Sequence, residues 1–376
     1  MSVFDLFDIY ARFFFTWLLL PLLAVTALLI WLNRRRALGG KSSAARAVAT
    51  AAVFLAGDLL LTFALPMLAV SFGKHHFNAA MFFSLRFALL LLWLALRLRK
   101  ASGIAPFWVA NGLLSLIYVY SYIIGPTTIT VSHAEIPTAA VTRPVRIVQL
   151  SDIHMERTSL RDAQIPGMVA RLQPDMIVMT GDYLSTSYLT DPRAMEDLHI
   201  LAARLDAPLG VYAVQGTVDN QDDMHAMFRG TTVQILHNQV AEITQPDVRM
   251  DVLGISDRGK PRVTLVEMAP QLRPESFHLL LYHTPDLIKV ATDNDIDLYL
   301  AGHTHGGQIR LPLYGAIVTF SDFGKQFEMG RYEVGPTMLY VSRGLGLEGY
   351  SLPRVRFLAP PEIVVIDLLP ESTVED

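Results

Sequence analysis

Residues 300–310 read LAGHTHGGQIR. His303 and His305 stand one residue apart, among glycines, directly after the apolar run DIDLYL at 295–300. A surface turn needs neither imidazole, whereas a strand that delivers nitrogen ligands to one point uses both. Side chains two apart along extended backbone point the same way, so the pair is expected to face a common target.

Outward from this stretch, PVRIVQL (144–150), DMIVMT (175–180), GVYAVQ (210–215), FHLLLY (277–282), DLYL (297–300) and TMLYVS (337–342) read as short buried strands. Helices fit between several of them. The clearest covers 192–205, with Asp191 as N-cap, Pro192 at the first helical position and Ala194, Leu198, Leu201 and Leu205 on one side. Strands alternating with helices imply an α/β domain with its ligand site at the carboxyl ends of the strands.

Those ends carry SDIH (151–154), GDY (181–183), GTVDN (216–220), HTP (283–285) and GHTHGG (302–307). Asp152 and His154 are spaced like the histidine pair, and Asp182 and His283 complete six oxygen and nitrogen ligands on one rim. Six is too many for a structural zinc site, which takes four, and suits two hydrolytic ions bridged by a carboxylate, about 3.5–4 Å apart.

The first part of the chain is different in kind. The 376 residues are 52% hydrophobic and 18% charged, with a mean hydropathy of +0.35, and the apolar excess lies before residue 130. Stretches at about 13–32, 48–72, 79–98 and 105–125 reach the roughly 20 residues that cross a bilayer, so four transmembrane helices are expected over 1–130. Arg34, Arg35, Arg36, Lys41 and Arg46 fall between the first two, and Arg97, Arg99 and Lys100 between the last two. The short flanking segments on the other side hold only Arg12, Lys74 and, further off, Arg143. The positive-inside bias then puts both basic loops in the cytoplasm and the C-terminal domain outside it. Asp5 and Asp8 precede the first segment and the basic cluster follows it, the reverse of a cleavable signal peptide. Asp58 and Arg86, inside spans two and three, read as a mutual ion pair or as part of a polar path. A net charge of −4 offers no broad basic surface, so no nucleic-acid partner is expected; the absence of cysteine excludes thiolate metal sites.

The order D-x-H, G-D, G-N-H-D/E, H, G-H-x-H resembles the calcineurin-like metallophosphoesterases, with four of the five blocks intact here. GHTHGGQ (302–308), YVSRGLG (340–346) and APPEIVVIDL (359–368) are similar to a bacterial branch that includes membrane-anchored phosphodiesterases and UDP-diacylglucosamine pyrophosphatases. The resemblance covers about 143–369. It implies a four-layer α/β sandwich, two mixed sheets flanked by helices, over 143–376. A linker at 131–142 and the four-helix transmembrane region would precede it.

The resemblance also implies two divalent ions, Mn, Fe or Zn, and attack on phosphorus by a hydroxide activated between them. Asp152, His154 and His305 would hold the first ion, Asp182 would bridge, and His283, His303 and, in place of the family's Asn, Thr217 would hold the second. Asp219 keeps the acidic position of the broken GTVDN block, as an unusual ligand or a loop acid. Arg343 would clamp a phosphate oxygen or stand as a surface residue. Asn238, Gln308, His225 and His237 are weaker candidates. Val218 occupies the place of the proton-donating His, and general acid catalysis is worth about 10²–10⁴ in rate. The expected activity is therefore hydrolysis of phosphodiester or pyrophosphate bonds of a phosphorylated lipid or cell-envelope substrate, at the bacterial inner membrane. A UDP-2,3-diacylglucosamine-type pyrophosphatase and a degenerate metal- or phosphate-binding module are the alternatives.

Overall fold

The computed structural model describes residues 41–72, 75–98, 105–348 and 354–371. The described residues form two compact units, one within 41–124, the other of 125–348 with 355–371.

In the first unit the described residues form helices Lys41–Met67, His75–Leu98 and Ala105–Val119. Ala49–Met67 and Ala105–Thr127 are long and apolar enough to cross a membrane. The expected span 79–98 appears as a shorter apolar stretch, Ser84–Leu96, and the expected span 13–32 lies outside the described residues. Leu60, Phe63, Met67, Leu113 and Leu116 are exposed, a surface suited to lipid rather than water. Asp58 and Arg86 do pair, by two contacts of 2.8 Å. Arg86 also donates to the Asn111 carbonyl (2.6 Å) and to Ser115 Oγ (2.6 Å), so one buried guanidinium ties three helices together.

The second unit contains β1 (Thr130–Thr138), β2 (Val145–Leu150), β3 (Met176–Met179), β4 (Val211–Ala213), β5 (Val233–Ile235), β6 (Gln239–Gln245) and β7 (Val248–Gly254). β8 (Phe277–Leu281), β9 (Leu298–Ala301), β10 (Arg310–Leu311), β11 (Gly315–Ala316), β12 (Gly330–Val334), β13 (Thr337–Val341) and β14 (Glu362–Pro370) complete it. They form two six-stranded mixed sheets, in the orders β1-β14-β2-β3-β4-β5 and β12-β13-β9-β8-β7-β6, and the small hairpin β10-β11.

Alternate residues of each central strand face opposite ways. Ile147, Met176, Val178, Leu279, Leu298 and Ile366 fill the space between the sheets. Val148, Ile177, Met179 and Val365 pack outward under helices Ile165–Leu172, Pro192–Ala202 and Gln221–Met227. Leu280, Tyr299 and Leu339 pack outward on the other sheet, under Pro261–Met268 and Ile288–Thr292. This is the four-layer sandwich. Asp191 caps its helix by accepting from the Arg193 amide (2.8 Å), but the helix stops at Ala202 rather than 205.

The expected linker at 131–142 is mostly strand. β1 runs parallel to β14, with Ala134 opposite Ile366, and closes an edge of the first sheet. Only Ala134 of its nine residues is buried, which is why TVSHAEIPT carries no apolar run to betray it.

Candidate metal centre

Strands of both sheets end at one rim. β2 leads to Asp152 and His154, β3 to Asp182, β8 to His283, and β9 to His303 and His305. Two groups of potential ligand atoms form there: Asp152, His154 and His305, and Asp182, His283 and His303. Each group combines an aspartate from the first sheet with a histidine from the second.

The side chains do not converge by strand alternation. Asp152, His154, Asp182, His303 and His305 all have left-handed backbone, with φ of 49°, 44°, 56°, 69° and 52°. Non-glycine residues rarely adopt it, and it concentrates where function demands a set geometry. The chain therefore turns sharply at each strand end, and the turn aims the ligand atom. Two glycines permit the crowding: a Cβ on Gly302 would lie 2.2 Å from Asp152 Oδ2, and one on Gly216 would lie 2.4 Å from Asp182 Oδ1.

His154 Nε2 and His305 Nε2 are 3.0 Å apart, and Asp152 Oδ1 lies 3.4 Å from the latter. Asp182 Oδ2 stands between the groups, 3.1 Å from His283 Nε2 and 3.7 Å from His154 Nε2. His303 Nδ1 is 3.2 Å from His283 Nε2. Two nitrogens on one ion, at bonds of about 2.0–2.1 Å, sit roughly 3.0–3.4 Å apart. The donor set and its spacing fit two borderline cations sharing Asp182.

The ring nitrogen facing away from the group sets each imidazole's tautomer. His283 Nδ1 donates to the Thr180 carbonyl (2.7 Å) and His303 Nε2 to the Phe320 carbonyl (3.2 Å), which turns the other nitrogen of each toward the ligand groups. Glu348 Oε2 lies 3.1 Å from His154 Nδ1, a charge contact rather than a well-aligned hydrogen bond. The guanidinium of Arg356, fully buried, stands 3.1 Å from His305 Nδ1 and donates to the carbonyls of Gly344 and Gly346.

Charge follows burial and neighbours. Burial works against protonated His154 and His283, but Glu348 at the first and Asp182 at the second outweigh it, raising both. Burial and then His283 lower His303; burial and then Arg356 lower His305 well below the usual histidine range. Burial works against ionised Asp182, yet His283 and the other imidazoles hold it well below the carboxylate range.

Three expected site residues stand elsewhere. The Thr217 side chain is exposed, and only its carbonyl is engaged, by Arg258 (3.1 Å), because the loop presents backbone to the centre. The Val218 amide donates to Asp182 Oδ1 (3.0 Å) and leaves Oδ2 to the ligand groups. Asp219 is buried beneath the loops and accepts from the amides of Asp182, Tyr183 and Gly216 at 2.8–3.0 Å, so it positions Asp182 rather than facing the ions. Burial, then the Asp182 charge, push its carboxyl up to about 6. Arg343 Nη2 is held by Glu362 and Thr130, both at 2.9 Å, so the guanidinium, rather than serving as a phosphate clamp, ties the segment after β13 to β14 and β1.

The weaker candidates also lie outside the two ligand groups. Asn238 accepts from the Ser256 amide, His225 is exposed on its helix and His237 is half-buried after β5. Gln308 brackets Glu348, donating to its carbonyl (2.6 Å) and accepting from its amide (3.0 Å). Glu348 and Arg356 themselves were not picked out from sequence. The one signal was their place: Glu348 just beyond the RGLG turn, and Arg356 alternating with Val355 and Phe357.

A two-sheet α/β sandwich with a pair of Asp/His groups at its strand ends defines a dimetal-dependent hydrolase. The calcineurin-like phosphoesterase family matches residues 145–307. The metallophosphoesterase YkuE of Bacillus subtilis is 34% identical over 237 residues, 59% of this chain and 78% of that protein. The UDP-2,3-diacylglucosamine pyrophosphatase LpxG of Chlamydia trachomatis is 27% identical over 288 residues, 60% of this chain and 84% of that protein. The phosphodiesterase YaeI of Escherichia coli is 26% identical over 234 residues, covering 60% and 83%. The chain belongs to the calcineurin-like phosphoesterase family and is a metal-dependent hydrolase.

Proposed function

We propose that the protein is a membrane-anchored phosphoesterase that cleaves phosphodiester or pyrophosphate bonds of a lipid-linked or cell-envelope substrate. The observation that carries this reading is the pair of ligand groups sharing Asp182 Oδ2, drawn from both sheets. Asp152, His154 and His305 would hold one ion and His283 and His303 the other, with Asp182 common to both; when bound, the ions supply Lewis-acid polarisation and an activated water.

The chain's own contribution is positioning. Asp219 fixes the backbone of Asp182, and the Val218 amide fixes one of its carboxylate oxygens. Val218 cannot transfer a proton, so nothing at that position assists the leaving group. Without a contribution worth about 10²–10⁴ in rate, the enzyme should favour leaving groups that depart unprotonated. Purified protein with Mn²⁺ is expected to hydrolyse aryl esters much faster than matched alkyl esters; equal rates on the two would overturn the reading. Thr217→Asn combined with Val218→His is expected to raise alkyl ester turnover, the histidine acting as the missing acid.

Four helices over 1–130, with the basic loops in the cytoplasm, would place the catalytic domain outside it. The likeness to LpxG favours a second reading, a UDP-diacylglucosamine-type pyrophosphatase, which requires a cytoplasmic site. A reporter fused at the C-terminus separates the two, since access from outside excludes the UDP-sugar role.

A further inference from the structure

A hydrophobic rim flanks the metal centre. The β10–β11 hairpin and the segment after it expose Leu311, Leu313, Tyr314, Ile317 and Phe320, and Leu358 shares a groove with the hairpin. The rim is joined to the site directly, because the Phe320 carbonyl is the acceptor for His303 Nε2.

Two features set this surface apart from chance exposure. Contiguous exposed apolar side chains mark interaction surfaces. Here Leu313, Phe320 and Leu358 are also held in left-handed backbone, at φ of 66°, 57° and 56°. A turn in water takes glycine or asparagine at such positions. Bulky apolar residues there incur strain and exposure together, the pattern of a functional constraint.

The occupant is indicated by the chain itself. An apolar helical stretch ends at Thr127 and β1 begins at Thr130. Three residues reach at most roughly 10 Å, so a domain anchored by that stretch stays at the bilayer. Lys325 Nζ stands 3.5 Å from the centroid of the Tyr314 ring. Aromatic rings and snorkelling lysines are the side chains that settle at a lipid–water boundary.

We propose that this rim docks on the bilayer, seating Leu313, Tyr314 and Phe320 among the lipid headgroups. A phosphate group carried by a membrane-resident substrate then meets the metal centre without leaving the lipid. The proposal rests on the membrane-anchored reading above.

The chain has no cysteine, so Leu313→Cys provides a unique site for an environment-sensitive fluorophore, and Glu333→Cys on β12 a control. The full-length protein is placed in nanodiscs of phosphatidylethanolamine and phosphatidylglycerol, with or without doxyl-labelled lipid. Doxyl lipid is expected to quench the probe at 313, and iodide the probe at 333. Equal access of iodide to both positions overturns the proposal. So does a blue shift at 313 that grows with protein density without doxyl quenching, which marks a second copy as the occupant. In a second arm, Leu313→Asp is expected to slow hydrolysis of p-nitrophenyl hexadecyl phosphate in the disc about tenfold, with bis(p-nitrophenyl) phosphate unaffected; equal loss on both esters overturns the proposal. Failure of the wild type to hydrolyse either ester counts against the proposed function, while the quenching still decides the docking.

Discussion

Four imidazoles crowd the centre, and what stands behind each decides how it behaves. His154 leans on Glu348, which Thr186 Oγ1 (2.8 Å) and the flanking contacts of Gln308 hold in place. Glu348→Gln is expected to weaken Mn²⁺ binding about 10–100-fold, the usual effect of losing an outer carboxylate, read by competition with a chelator. Arg356, itself fully buried, donates to the carbonyls of Arg343, Gly344 and Gly346. Arg356→Met strands the carbonyls of Arg343 and Gly346 at roughly 1–3 kcal/mol each, so a fall in melting temperature and impaired metal loading are expected together. Proton linkage has a definite sign. His154 and His283 have raised folded values, so in the metal-free protein their stabilising contribution is complete below the ordinary 6.5 and is lost as pH rises through those higher values. Metal must displace the same protons. The gap in melting temperature between Mn-loaded and chelated protein should therefore widen as pH rises through and above neutrality. A constant gap would show that neither histidine gives up a proton to the ions.

Strands with continuous apolar runs, such as β2, β3, β8 and β9, were legible because both of their faces are buried. β1, β6 and β12 were not. Their exposed faces interleave Ser, Glu, Gln and Arg with few apolar residues, and pairing rather than composition makes them strands. Ligand identity was readable from residue type, since Asp and His at strand ends have few other uses. The left-handed turns that aim those ligands were not, because Asp and His adopt a positive φ at only a small share of their positions. Arg343 shows the same limit: its place beside a glycine turn left a phosphate clamp and a surface residue both open, and only three-dimensional pairing shows Glu362 receiving it. Glu362 also accepts from Ser132 Oγ, from Tyr340 (3.1 Å) and from the Arg343 amide (2.9 Å), joining β1, β13 and β14 at one carboxylate. A double-mutant cycle of Arg343→Ala and Glu362→Ala is expected to show coupling of about 1 kcal/mol or more in stability. Additive effects, with KM alone raised by Arg343→Ala, would restore the clamp.

At the scale of the whole chain, an apolar helical unit, with one buried ion pair among its described residues, accompanies a domain with its own core. A lone charge in an apolar interior is worse than none. Asp58→Leu with Arg86→Met is thus expected to keep more folded protein in detergent than either change alone, as judged by size-exclusion chromatography. Carbonate washing should leave the wild type in the membrane pellet; release into the supernatant would remove the anchor from the proposed function. The division of ligands between the sheets reaches further than chemistry. Each cation would act as a rivet through two layers whose facing surfaces are mostly greasy. A cell starved of transition metal would then hold a looser, protease-sensitive polypeptide, and scarcity would be felt first as a shortened lifetime of the molecule.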